Sequence, residues 1–179
     1  MSSHSSTYKR VVIHKLDKTL VRGFVEPASY LGAEGIKVLD RGGRLFTIPL
    51  NEVKGVFFVR EFEGNPRRTE RKVFHGRPRL AGLWVRMTFK DQEVLEGLIS
   101  NNLLDISSLG FLATPPDLYS NNLRMFIPRS ALTAIEALGV ISDGAARRAS
   151  QKAGAARPKT PEAERQIGLF SLAASHPHK

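Results

Sequence analysis

Cysteine is absent from the 179 residues, which excludes disulfides, cysteine-ligated zinc and thiol nucleophiles. No apolar run approaches the length needed to span a bilayer, and the first fifteen residues lack the continuous apolar stretch of a signal peptide. A cytoplasmic protein with no membrane partner is therefore expected. Catalytic signatures are missing as well. Of the five histidines, His4, His176 and His178 fall in expected termini, His75 in a connector and His14 on an expected strand. There is no His-Glu zinc helix, serine-centred elbow or phosphate-cradling glycine loop. The expectation is a protein that is not an enzyme and that uses neither metal nor cofactor. Negative charge is also in deficit, with 17 Asp+Glu against 27 Lys+Arg and a net charge of +10.

What remains is a chain that is 41 % hydrophobic, enough for a core, and long enough for one domain or two very small ones. The positive charge is unevenly spread, at +4 over residues 1–59, +4 over 60–79, −2 over 80–142 and +4 over 143–179. It sits in the first segment, a connector and the tail. Such a balance favours anionic partners through the summed potential and says nothing of fold.

The chain repeats itself. Shifted by 74 positions, Val11-Val12-Ile13 meets Val85-Arg86-Met87, Asp17 meets Asp91, and Gly23-Phe24-Val25 meets Gly97-Leu98-Ile99. One inserted residue later Gly35-Ile36 meets Gly110-Phe111. After four more, Ile48-Pro49 meets Ile127-Pro128, followed by Val53 and Val56 on Leu132 and Ile135. Each copy reads as strands. Val85, Met87 and Phe89 alternate with Arg86, Thr88 and Lys90, the period of a strand with one buried face. Lys90-Asp91-Gln92 and Leu16-Asp17-Lys18 make polar hairpin turns before a second strand. Glu93 and Glu96 read as solvent-facing hairpin residues. Gly23 and Gly97 inside the second strand suggest a bulge or sharp bend. A third strand starts at Ile36 or Phe111, and a fourth ends at the Ile-Pro pair, with room for one helical turn before the last apolar run.

This pattern predicts an all-β protein. Four or five short antiparallel strands in so few residues resemble an SH3-like or Sm-like small barrel, and the resemblance implies two such barrels in tandem. The expected organisation is a disordered N-terminus over 1–8, a first barrel repeat over 9–60, a basic connector over 61–80, a second barrel repeat over 81–142 and a disordered basic tail over 143–179. A core so small is marginal alone, so packing of the two copies on each other, or homo-oligomerisation, is the expected remedy.

Four features carry candidate chemistry. Arg67, Arg68, Arg71 and Lys72 in the connector form a candidate phosphate-binding cluster, interleaved with Phe57, Phe58, Arg60, Phe62 and Phe74. Small barrels that bind nucleic acid combine basic residues for phosphates with aromatics for bases. Arg67-Arg68-Thr69-Glu70-Arg71 with Asp105-Ile106-Ser107-Ser108-Leu109-Gly110 resembles the RxxxR and DxSxxG motifs of the PilZ family. That resemblance implies cyclic di-GMP held by Arg67, Arg71, Asp105, Ser107 and Gly110. In the tail, Gln166-Ile167-Gly168-Leu169-Phe170 resembles the pentapeptide by which bacterial replication and repair proteins dock on the sliding clamp. Gln166, Ile167, Leu169 and Phe170 would be the partner contacts.

Finally, the stretch from Val56 to Asn65, the Phe-x-Asp-x-Glu-x-x-x-Gly pattern from Phe89 to Gly97, Gly110-Phe111, and Ser120-Asn121-Asn122-Leu123-Arg124 resemble an uncharacterised bacterial domain family of unknown function, over about residues 10–140. The Ser-Asn-Asn turn reads as a tight turn held by local side-chain bonds. The expectation is a non-catalytic binding or adaptor protein with an anionic partner, nucleic acid leading. The alternatives are a cyclic di-GMP sensor and a structural protein-interaction module.

Overall fold

The computed structural model describes residues 7–65, 67–102, 104, 106–117 and 119–142. The expectations placed on residues 1–6 and on the tail, 143–179, lie outside the described residues. Strands β1 (Lys9–Lys15), β2 (Leu20–Val25), β3 (Leu31–Gly32), β4 (Gly35–Leu39), β5 (Leu45–Ile48) and β6 (Val53–Val59) make the first half. Strands β7 (Gly82–Phe89), β8 (Val94–Ile99), β9 (Gly110–Thr114), β10 (Asn122–Pro128) and β11 (Leu132–Ile141) make the second. The fold is all-β and antiparallel. Single 3-10 turns follow the prolines, at Leu50–Glu52 and Arg129–Ala131. Among the described residues no helix is long and apolar enough to cross a membrane.

The two halves carry the same strand register. β1 pairs with β2 from Lys9↔Val25 to His14↔Leu20, and β7 with β8 from Leu83↔Ile99 to Thr88↔Val94, the same six pairs displaced along the chain. Ile36↔Ile48 in the β4–β5 ladder matches Phe111↔Ile127 in β9–β10. The last strand of each half returns to the first, Ile13↔Val56 matching Met87↔Ile135, with a register shift at the matching place, His14/Lys15 and Leu132/Ala134. Both hairpin turns need a left-handed residue, Lys18 at φ 70° and Gln92 at φ 67°, and each turn places an aspartate two residues before a backbone N–H that it accepts, Asp17 from Thr19 and Asp91 from Glu93.

Of the bulge or sharp bend expected at Gly23 and Gly97, no bulge is present in the β1–β2 and β7–β8 ladders, which run through both without a shift. The glycines serve close approach instead. A Cβ on Gly23 would sit 2.7 Å from the Leu39 carbonyl oxygen, and one on Gly97 2.8 Å from the Met125 methyl carbon. Crowding against the Leu39 backbone at Gly23 has no easy relief, whereas at Gly97 the flexible Met125 side chain has to give way.

Two separately closed barrels are not what the ladders form. The strand order is β11-β7-β8-β9-β10-β6-β1-β2-β4-β3, with β5 on β4, and this path stays open: β10 pairs with β6. At that seam Met125↔Phe57 and Phe126↔Val56 bring the fourth strand of the second half against the last strand of the first. At these positions both faces of the two strands are covered. Phe126 and Val56 join the core of the first half with Val11, Ile13, Ile36 and Val38. Met125 and Ile127 join the other core with Val85, Met87 and Phe111, against which Phe57 packs. Each half therefore completes its core with a side chain from the other, which is how two marginal cores become one cooperative body.

The connector, expected as a polar link, is folded down by carboxylates. Glu96 is 3 % exposed, a correction to its reading as a solvent-facing residue. It accepts hydrogen bonds from Phe74 N–H (3.0 Å), Trp84 Nε1 (3.0 Å), and Arg86 Nε and Nη2 (3.3 and 3.0 Å). Its own N–H donates to the Lys72 carbonyl at 2.7 Å. Glu70 accepts from Asn121 N–H and Asn122 Nδ2. Asn121 in turn donates from Nδ2 to the Glu61 carbonyl at 2.7 Å, and Ser120 closes the turn by accepting from Asn122 N–H at 2.9 Å.

Candidate functional site

The sequence-predicted cluster is not assembled as one anion site. The Nη2 of Arg68 donates to both oxygens of buried Asp117 at 2.8 and 2.7 Å, and that bond first of all holds the Asp117 carboxyl below its ordinary range. Lys72 pairs with Glu93 at 2.7 Å. Arg67 and Arg71 are exposed, but Arg71 shares a small cavity of about 150 Å³ with Glu70 and Glu93. Ser107 accepts from Leu109 N–H at 3.1 Å in a local turn, and Gly110 is buried in the β9–β10 ladder where a Cβ would strike the Phe126 ring. Asp105, Gln166, Ile167, Leu169 and Phe170 lie outside the described residues. Tyr119 is 86 % exposed, whereas Trp84 is half-buried against Phe74, ring centroids 5.8 Å apart.

The same small cavity contains His14, whose ring packs on Phe57 with centroids 4.5 Å apart. Lys54 reaches across the seam to ion-pair with Asp91 and Glu93. Burial, then Lys54, lowers the His14 pKa from 6.5, with Glu93 opposing. The unfolded chain takes up a proton below about 6.5 that the folded state resists, so stability falls as pH drops through that value toward the folded pKa. Urea midpoints measured against pH are expected to decline in wild type just below 6.5, and to lose that part of the decline in His14→Gln. Among the described residues, no group of three or more His, Asp or Glu side chains is placed to hold a metal ion.

A different place concentrates exposed cations and aromatics. A groove of about 920 Å³ opens where β1, β2, β6, β9 and β10 come together. Its cations are Lys9, Arg10, Arg60 and Arg124, all exposed. Its aromatics are Tyr8, Phe24, Tyr30 and Phe58. Among the described residues that line it, none is acidic. In the ladders Arg124 lies directly opposite Phe58, and Arg10 opposite Phe24. Two of the guanidiniums are braced by backbone carbonyls, which position them without neutralising their charge: Arg10 Nη1 donates to the Arg60 carbonyl at 2.9 Å, and Arg60 Nε to that of Ser120 at 3.4 Å.

The aromatics differ in freedom. Tyr30 stands edge-on to Phe58 (5.6 Å) and Phe126 (6.0 Å), seated on the first core, and burial pushes its phenol up to about 12, so the hydroxyl stays a neutral donor. Phe24 is held edge-on by Phe62 of the connector at 5.3 Å. Tyr8 is 42 % exposed, and the exposed apolar side chains Leu112 and Leu123 line the same groove. Leu112 and Arg124 also line a second, mainly apolar depression of about 550 Å³ that again has no acidic side chain among its described residues. The two depressions thus share a wall.

Of this groove the sequence pointed only to Phe58 and Arg60, as part of the connector's basic and aromatic interleaving; the other residues come from separate segments that pairing alone brings together. The one local signal is a cation next to an aromatic or aliphatic residue at strand ends, as in Tyr8-Lys9, Val59-Arg60 and Leu123-Arg124. Among known proteins, a family model described as "Family of unknown function (DUF6982)" matches residues 7–139. No curated protein and no solved structure matches the chain.

Proposed function

We propose, for a chain that belongs to this family of unknown function, a non-catalytic binding module that holds single-stranded nucleic acid in the basic and aromatic groove. The observation that carries this reading is the composition of the groove: four cations and four aromatics with no carboxylate among its described lining. Phosphates are attracted by Lys9, Arg10, Arg60 and Arg124, and bases stack on aromatic faces whatever their sequence. The adjoining depression, reached past Leu112 and Arg124, supports a strand over a single nucleotide, because a chain continuing from the groove meets apolar surface and no repelling charge. The fold reading that accompanies it is of two opened SH3-like modules. In each half the last strand returns to the first after a 3-10 turn, as β6 does to β1 and β11 to β7.

A fluorescence anisotropy titration with labelled oligothymidine, repeated over a range of salt concentrations, tests the function. Binding that weakens steeply as salt rises is expected, with duplex DNA a poorer competitor. Saturable binding of cyclic di-GMP with little salt dependence, and none of the oligonucleotide, would favour the sensor reading instead.

A further inference from the structure

Besides the two-residue β3, two strands have an edge with no ladder partner among the described residues, the outer edge of β5 and the outer edge of β11. The internal repeat makes them the counterparts of the two edges joined at the seam. β5 occupies in the first half the place of β10 in the second, as the matched ladders Ile36↔Ile48 and Phe111↔Ile127 show. β11 likewise occupies the place of β6, from Ile13↔Val56 against Met87↔Ile135. The chain thus contains one joined copy of a junction and the two unjoined halves of another.

Carried across the repeat, the seam pairs Phe126↔Val56, Met125↔Phe57 and Arg124↔Phe58 become Thr47 with Ile135, Phe46 with Glu136, and Leu45 with Ala137. Burial shows that cover is missing at these counterparts. Val56 is fully buried at the seam, whereas Ile135 is 40 % exposed, and Phe126 is buried where its counterpart Thr47 is exposed. β5 is short, at four residues, but charge and proline, the commonest protections of a free edge, are scarce on both. β5 contains no charge and no proline, and β11 has Glu136 as its single charge over ten residues. Of the two register shifts in β11, the one at Leu132/Ala134 has a counterpart at His14/Lys15 that accompanies the seam that does form, and the one at Ala137/Gly139 lies at the end of the three paired positions.

We propose that β5 of one copy pairs antiparallel with β11 of a second copy of this chain, so that the β6–β10 junction inside each chain is repeated between chains. The contact is head-to-tail, since each copy contributes a different edge. Association of that type continues until a ring closes or a filament grows. This inference is independent of what the groove binds.

Sedimentation velocity on the full chain tests it with Thr47→Lys and Ile135→Lys, the counterparts of buried Phe126 and Val56, both at exposed side chains and both checked for retained β circular dichroism. Wild type is expected to sediment faster than a monomer, increasingly so with concentration, and each variant as a monomer. An equimolar mixture of the two variants is expected to form a dimer and nothing larger, because one supplies an intact β11 edge, the other an intact β5 edge, and the remaining edges are blocked. Ala137→Lys, also exposed, serves as a second β11 variant if Ile135→Lys fails to fold. A monomeric wild type at every concentration, variants that assemble like wild type, or a mixture that stays monomeric would each overturn the proposal.

Discussion

Glu96→Ala is expected to lower the free energy of unfolding by about 3 kcal/mol, the largest single-residue effect on stability. The carboxylate is buried, and its removal leaves Phe74 N–H and Trp84 Nε1 without an acceptor and Arg86 without its closest counter-charge. A buried donor without a partner costs its full desolvation, whereas the exposed end of Arg86 finds water, which is why the estimate stays moderate. Glu96→Gln separates charge from shape. Its single acceptor oxygen serves one pair of donors and turns an NH₂ toward the other, so an intermediate loss is expected. Urea denaturation followed through Trp84, the only tryptophan, reads both effects directly. The equivalent position on β2 is Arg22, whose Nε donates to the Phe62 carbonyl at 3.4 Å, so one repeat position ties down both ends of the connector with opposite charge.

In the groove, Tyr8→Ala is expected to weaken oligonucleotide binding by roughly tenfold, the stacking contribution of about one base. The slope of log affinity against log salt should not change, because no phosphate contact is lost. Lys9→Ala combined with Arg124→Ala is expected to weaken binding at least as much at low salt, and to make the slope shallower by about 0.7 for each phosphate contact removed. Neither Lys9 nor Arg124 holds an ion pair among the described residues, so stability should be unaffected. Arg67→Ala, in the connector, is the control and should leave both affinity and slope close to wild type.

The repeat was legible in the sequence because the devices that set register are local. Asp17 and Asp91 at the turns, Gly23 and Gly97 in the strands, and the Ile-Pro pairs each constrain a few neighbours, and the ladders follow their order. The seam was not legible. Nothing within β10 or β6 states that each will pair with the other in place of closing its own half, and the choice is settled by two cores that both gain from Phe126 and Phe57. The burial of Glu96 is illegible for a related reason. A glutamate in an alternating strand reads as solvent-facing unless a distant segment covers it, and here Phe74 and Trp84 do. The connector cations illustrate the converse. Arg68 and Lys72 stood out as a charge run, yet each has a carboxylate partner that lies far along the chain, Asp117 and Glu93. The groove could only be seen once β1, β6 and β10 were side by side.

The most direct measurement is photocrosslinking of a single-stranded oligonucleotide bearing a halogenated uracil, with the crosslinked peptides identified by mass spectrometry. Adducts on Tyr8, and on the peptides containing Phe24 and Tyr30, are expected, and competition by high salt should remove them. Adducts confined to residues 67–72, or none at concentrations where anisotropy reports binding, would contradict the assignment of the groove.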